Sequence, residues 1–214
     1  IIEESDIITC HVPLTLGGMD STYHLFDKSR LEALDRHQVL INTSRGEVID
    51  TNALVHVLKK GSIKAASLDV WENEPSIDPR LLDLLYTGTP HIAGYSADGK
   101  ANGTMMCVQA LGQFFDLSCR SWETSGLPEP LQPSEFTIDT RGKTPQQILS
   151  EAILYTYNIK KDDAMLRADI SRFERLRSAY PVRREFNAFT VKLSDDSSGR
   201  ASVYLREAGF NVTE

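Results

Sequence analysis

Four short apolar runs, DIITCHV, QVLINT, IKAASLDV and TPHIAGY, recur through roughly the first hundred residues with helix-like segments between them. None alternates apolar and polar residues as a half-solvated strand does, so each reads as a strand covered on both faces. The segments between them, FDKSRLEALD, TNALVHVLKKG and DPRLLDLLYTG, carry apolar residues at helical spacing. The middle one supplies its own punctuation, with Asp50 as N-cap, Ala53, Leu54, Val57 and Leu58 on one face, Lys59 and Lys60 at the end, and Gly61 just beyond. Strand and helix alternating at this rhythm imply an α/β fold, a parallel Rossmann-like sheet with right-handed crossovers. Ligands of such sheets bind at the carboxyl ends of the strands.

From Asp98 to about Leu117 the pattern lengthens into a single helix, with Met105, Met106, Val108, Leu111, Phe114 and Phe115 as its apolar positions. SWETSGLPEPLQPSEF then packs Pro128, Pro130 and Pro133 into a short span, which marks a linker and a domain boundary. Beyond it, TPQQILSEAILYTYNI and the segment from Asp162 to Tyr180 read as helices, AFTVKL as a strand, and SGRASVYLREAGF as a helix closed by Gly209. The expected division is residues 1–97 as parallel α/β, 98–123 as the long helix and a return segment, and 124–214 as a small α+β domain. That last part carries no catalytic constellation.

A net charge of -7 over 214 residues, without a basic stripe, argues against binding to a phosphate backbone, so no nucleic-acid partner is expected. No apolar run approaches the roughly 18 to 20 residues that span a bilayer, and no basic-then-apolar leader opens the sequence, so no membrane association is expected either. Cys10, Cys107 and Cys119 fit neither a metal pattern nor a disulfide framework, as in a reduced cytoplasmic protein. No metal is expected. The sequence begins at Ile1 without Met, which suggests a portion of a longer protein.

Arg45 stands where the run LINTS gives out, Glu74 lies in SLDVWENEP after the third strand, and His91 lies in TPHIAG at the fourth. If each strand delivers its loop to one edge, the three converge there. A guanidinium grips a carboxylate through two hydrogen bonds, a carboxylate orients an imidazole, and an imidazole moves a proton near neutral pH. Each has a plainer role as well: Arg45 as a surface ion-pair partner, Glu74 as a solvated loop acid, and His91 as a hydrogen-bonded core residue.

INTSRGEVID, SLDVWENEP and TPHIAG, in this order and spacing, resemble the three signature segments of the D-isomer-specific 2-hydroxyacid dehydrogenase family, over residues 1 to about 117. The resemblance implies NAD as cofactor. Arg45 would bind the substrate carboxylate, His91 would take the C2 hydroxyl proton, and Glu74 would hold His91 in one tautomer. Asp69 would bond the nicotinamide carboxamide, with a capping Asp as its plainer role. Thr43, Ser44 and Gly94, together with His11, Val12 and Pro13, match cofactor-lining backbone.

The continuation HIAGYSADGKANGT and the C-terminal tail resemble the branch of the family that oxidises 4-phosphoerythronate in vitamin B6 biosynthesis. This implies a substrate contact for Tyr95, otherwise a packed strand-end aromatic, and a homodimer formed through residues 124–214. Ile148, Ala152, Tyr155 and Phe173 in that tail would serve equally as its own core. Alternatives are another dehydrogenase of the family, such as one acting on phosphoglycerate, or a non-catalytic module that senses nucleotide or binds protein.

The family's phosphate-binding G-x-G-x-x-G is absent, and Gly17 and Gly18 do not make it. These residues alone are therefore expected not to turn over substrate. GYSADGKA, residues 94–101, fits a P-loop except that Ala101 replaces the magnesium-binding hydroxyl, so nucleoside triphosphate hydrolysis is not expected.

Overall fold

In the computed structural model, which describes residues 2–195 and 199–213, the apolar runs form β1 (Ile7–Cys10), β2 (Val39–Asn42), β3 (Ala65–Leu68) and β4 (Thr87–Gly88). They make a parallel sheet in the order β1-β2-β3-β4, with Val39 opposite both Ile7 and Ala65. Helices α1 (Lys28–Glu32), α2 (Thr51–Lys60) and α3 (Pro79–Leu84) connect them. In α2 the Asp50 side chain accepts from the Ala53 amide, and Gly61 closes the helix at φ 67°, in the left-handed region. The same helix buries Ala53, Leu54, Val55 and Val57. Leu54 and Val57 are fully buried, in a core shared with Leu31, Leu40, Val48 and Ala66.

The fourth strand, expected over TPHIAGY, falls instead on the two residues before it, and residues 89–95 form a loop. Pro90 has no N–H to offer a ladder. The Ile92 and Ala93 amides are taken by the Asp69 carboxylate, and His91 stands at a positive φ of 55°.

The expected boundary near the prolines is also displaced. The chain divides into one unit of residues up to Ala93 with Ile159–Tyr180, and a second of Gly94–Asn158 with the residues from Pro181 onward. The second unit opens with the long helix α4 (Ala97–Phe114), followed by β5 (Glu135–Ile138) and α5 (Pro145–Thr156). Within α4, Met106, Leu111 and Phe114 are exposed rather than buried.

The chain then returns to the first unit in α6 (Ile159–Ala168) and α7 (Phe173–Ser178), which interrupts the continuous 124–214 domain expected from sequence. Leu166 and Phe173, both fully buried, complete the first unit's core. Polar contacts fix the return: Gly88 N donates to Asp163 Oδ1 at 2.7 Å, and Arg167 donates to the carbonyls of Leu82 at 2.7 Å and Leu85 at 3.0 Å.

The second unit closes with β6 (Thr190–Leu193), α8 (Arg200–Glu207) and β7 (Asn211–Thr213). Its sheet has the order β5-β6-β7, with all pairs parallel. Ser198, the first residue of the helix expected there, lies outside the described residues. Ile148 and Ala152 join Ile138, Phe189, Val191 and Leu205 in this unit's own core. Tyr155 stacks on Phe136 with ring centroids 3.9 Å apart and donates to the Pro133 carbonyl.

Candidate active site

The site gathers at the carboxyl ends of the first unit's strands. After β2 the chain leaves the sheet through Thr43, Ser44 and Arg45 into a short 3-10 turn, Gly46–Val48. Asn42, fully buried, templates that exit. Its Oδ1 accepts from the Ser44 amide at 3.0 Å and the Ser44 hydroxyl at 2.8 Å, while its Nδ2 donates to the Arg45 carbonyl at 2.9 Å. Ser44 is itself buried, so its hydroxyl is spent on the turn. Arg45 is exposed, and its guanidinium donates to the Ser44 carbonyl.

Gly46 then passes so close to the loop after β3 that an added β-carbon would lie 2.0 Å from the Trp71 carbonyl carbon. Only glycine allows this approach. It places the Arg45 turn against the segment that carries Glu74. Glu74 is itself anchored: its Oε1 accepts from the Trp71 amide at 2.8 Å, leaving Oε2 to take the His91 Nδ1–H at 2.7 Å. Both side chains are partly shielded, His91 at 25% exposed and Glu74 at 19%. A histidine bound to a carboxylate through Nδ1 keeps Nε2 as the atom that exchanges a proton.

Asp69 organises the loop that holds His91. It is 5% exposed. Its Oδ1 accepts from the Thr89 hydroxyl and the Ile92 amide, its Oδ2 from the Ala93 amide, and its backbone carbonyl from the His91 amide. This is the capping role that the sequence left open beside a cofactor contact. Trp71 adds a bond from its indole N–H to the Thr89 carbonyl.

Sequence reasoning missed Asn42, although a polar side chain closing an apolar strand is its signal. It missed His24 and Glu72 too, whose ring nitrogen and carboxylate meet at 2.7 Å.

Of the expected cofactor positions, His11 and Pro13 are exposed, and Val12 and Thr43 partly so, past the ends of β1 and β2. The His11 ring bonds the Thr9 hydroxyl. This open edge presents backbone polar groups, with the His91–Glu74 imidazole–carboxylate pair at the same ends of the strands. It holds no glycine-rich phosphate cradle. Gly94 and Tyr95 belong to the second unit, where Lys100 Nζ lies 4.2 Å from the Tyr95 ring centroid. The P-loop-like stretch 94–101 forms the Ser96 cap and first turn of α4, so its Gly99 and Lys100 are helical. Among the described residues no cluster of potential ligands could hold a metal ion, and no helix is long and apolar enough to cross a membrane.

Comparison with known proteins places these features. The family model described as "D-isomer specific 2-hydroxyacid dehydrogenase, NAD binding domain" matches residues 1–93. A model described as "Domain of unknown function (DUF3410)" matches residues 131–205. The erythronate-4-phosphate dehydrogenase of Bacteroides thetaiotaomicron is 46% identical over 191 residues, which cover 89% of this chain and 52% of that protein. That of Proteus mirabilis is 40% identical over 216 residues, 100% of this chain and 56% of that protein. The chain thus spans about half the length of the relatives it matches. A solved D-lactate dehydrogenase from Aquifex aeolicus, complexed with NAD and lactic acid, aligns at 30% identity and a TM-score of 0.44, over 54% of this chain and 38% of its own. Residues 1–93 of this chain are thus similar to the NAD-binding domain of the D-isomer specific 2-hydroxyacid dehydrogenases.

Proposed function

We propose that the chain is part of an NAD-dependent dehydrogenase that oxidises 4-phosphoerythronate at C2, a reaction of vitamin B6 biosynthesis. The hydrogen bond between His91 Nδ1 and Glu74 Oε2 carries the reading. It leaves His91 Nε2 as the proton-exchanging atom, and the Trp71 amide on Glu74 Oε1 holds the carboxylate in register for the ring.

Bound NAD supplies the hydride acceptor. Arg45 grips the substrate carboxylate, a task suited to an exposed guanidinium at the end of β2. His91 takes the C2 hydroxyl proton at Nε2 as the carbonyl forms. Glu74 fixes the ring and stabilises the imidazolium that results. Asp69 keeps the His91 loop in shape, and its carboxylate edge is the candidate contact for the nicotinamide carboxamide. Thr43, Ser44, His11, Val12 and Pro13 line the cofactor through backbone. Gly94 and Tyr95, which follow His91 along the chain, keep the cofactor and substrate roles that their motif implies. The relatives named above carry this activity in their names, at identities of 40% and 46%.

The enzyme works as a homodimer through its second unit, where Leu154, Val203 and Tyr204 expose apolar surface. Its compartment is the reducing cytoplasm. Cys10, Cys107 and Cys119 are all free, and burial pushes the Cys10 thiol up to about 11, where it stays protonated and inert.

The test is reduced-nicotinamide formation by the complete gene product with 4-phosphoerythronate, run beside 3-phosphoglycerate and D-lactate. Preference for 4-phosphoerythronate is expected. Preference for another acid would keep the Arg45, Glu74 and His91 chemistry and discard the substrate, and turnover of none would favour a binding module.

A further inference from the structure

We infer that His24 and Glu72, a second imidazole–carboxylate pair, are positioning residues for Arg45; the inference rests on the substrate-binding role proposed above for that arginine.

The pair lies beside the Arg45 turn without being part of the His91 system. His24 Nε2 meets Glu72 Oε1 at 2.7 Å, and Glu72 Oε2 accepts from the Thr51 amide at 2.8 Å, at the first turn of α2. Glu72 follows Trp71 directly, so this carboxylate belongs to the stretch of backbone that Gly46 abuts. From the other side, the His24 amide donates to the Glu47 carbonyl at 2.7 Å and the Phe26 amide to the Val48 carbonyl at 2.9 Å. The segment from His24 to Phe26 thus runs along the turn, and the His24 side chain reaches past it to Glu72. Between them, these bonds grip the turn from the preceding loop, from the loop after β3 and from the start of α2.

Two features set this apart from incidental surface polarity. His24 is held at φ 47°, a left-handed conformation that a residue with a β-carbon keeps only where the surroundings over-determine it. Its ring is stacked on Tyr23 with centroids 4.1 Å apart and planes 16° apart, and Asp50 Oδ2 stands 3.9 Å from its Nδ1. At 27% and 17% exposed, His24 and Glu72 are shielded enough for their hydrogen bond to be directional and strong. Releasing it frees the Trp71–Glu72 backbone to part from Gly46, and with it the base from which the Arg45 guanidinium extends. Neither residue touches the reacting atoms, so the consequence falls on substrate grip rather than on proton transfer.

The experiment compares the full-length enzyme with its His24→Ala, Glu72→Ala and His24→Gln variants, the last retaining an N–H that can donate to Glu72. Phenylglyoxal modification of each arginine is followed by peptide mass, alongside KM, kcat and melting temperature. In both alanine variants Arg45 should change its modification rate at least about threefold relative to the exposed Arg36 and Arg172, and His24→Gln should restore it. KM for the acid should rise about tenfold with kcat little changed, the signature of lost binding common to ground and transition states. Unchanged Arg45 reactivity with unchanged KM would overturn the inference. So would a uniform change at every arginine accompanied only by a lower melting temperature. If Arg45 responds while the wild type turns over no acid, the substrate reading fails and the positioning stands; turnover with an unresponsive Arg45 gives the reverse.

Discussion

At Gly46 a β-carbon would fall 2.0 Å from the Trp71 carbonyl carbon, 2.1 Å from its oxygen and 2.5 Å from the Glu72 amide. All three are backbone atoms, so no rotamer change relieves the clash. Gly46→Ala must push the Arg45 turn away from the loop after β3. The expected cost lies at the upper end of the roughly 1–3 kcal/mol typical of overpacking, with KM for the acid raised as Arg45 shifts. Thermal unfolding and steady-state kinetics of the full-length enzyme check it, and an alanine variant with wild-type KM would show Arg45 indifferent to its base. His91→Ala acts differently, because it removes the proton acceptor and leaves the loop anchored by Asp69. Turnover should fall by roughly 10²- to 10⁴-fold with little change in melting temperature, and a smaller loss would count against His91 as the base. At this scale the positions of Arg45 and Glu74 beyond apolar runs are legible in sequence, whereas His91, expected within the fourth strand, lies in the loop after it. Asn42, His24 and Glu72 are not legible. Their importance depends on which amides and carbonyls the fold leaves needing partners, and that is a tertiary matter.

Among the elements, β1, β2, β3 and α2 follow from local pattern because their burial and their caps are encoded within a few residues. The helices α6 and α7 are different. Their amphipathic spacing marks them as helices, but the core that Leu166 and Phe173 join is otherwise built from buried residues between Cys10 and Leu85, far earlier in the chain, and nothing local distinguishes them from the second unit's own core. The second unit is locked by a contact of the same long-range kind. Asp98, in the first turn of α4 and 4% exposed, takes both Arg184 Nε and Nη2 and the Glu185 amide, and Arg184 also donates to the Pro128 carbonyl. Burial pushes the Asp98 carboxyl up, but the Arg184 hydrogen bonds and the Glu185 amide together outweigh it and hold it below the usual carboxylate range. A carboxyl depressed in the folded state stabilises above its unfolded pKa and loses that contribution as pH falls through the folded value. Asp98→Asn strands the Arg184 charge, so it should cost roughly 3–5 kcal/mol near neutral pH. That gap to the wild type should close as the pH drops below about 4. Urea unfolding at pH 7 and pH 3 measures both, and a gap independent of pH would mean that the variant loses packing rather than charge.

For the whole molecule, the return of α6 and α7 changes how self-association has to be tested. Deleting everything from about residue 125 would remove the second unit, but it would also strip Leu166 and Phe173 out of the first unit's core, together with the Arg167 and Asp163 contacts to Leu82, Leu85 and Gly88. Each buried large side chain lost in this way costs about 2–5 kcal/mol. A monomer seen after such a deletion would report a damaged first unit as readily as a lost interface. Surface substitution avoids the ambiguity. Val203 and Tyr204 are 49% and 44% exposed on α8, whose Ala201 and Leu205 already face the second unit's core. Charging the outer face therefore leaves the inner one intact. If residues 124–214 carry the dimer, Val203→Lys with Tyr204→Lys should convert the full-length enzyme to a monomer by light scattering while its melting temperature becomes independent of protein concentration. A dimer of unchanged mass would move the interface off this face. A monomer that also loses its second melting transition would show that α8 had unfolded and that the substitutions had tested stability rather than association.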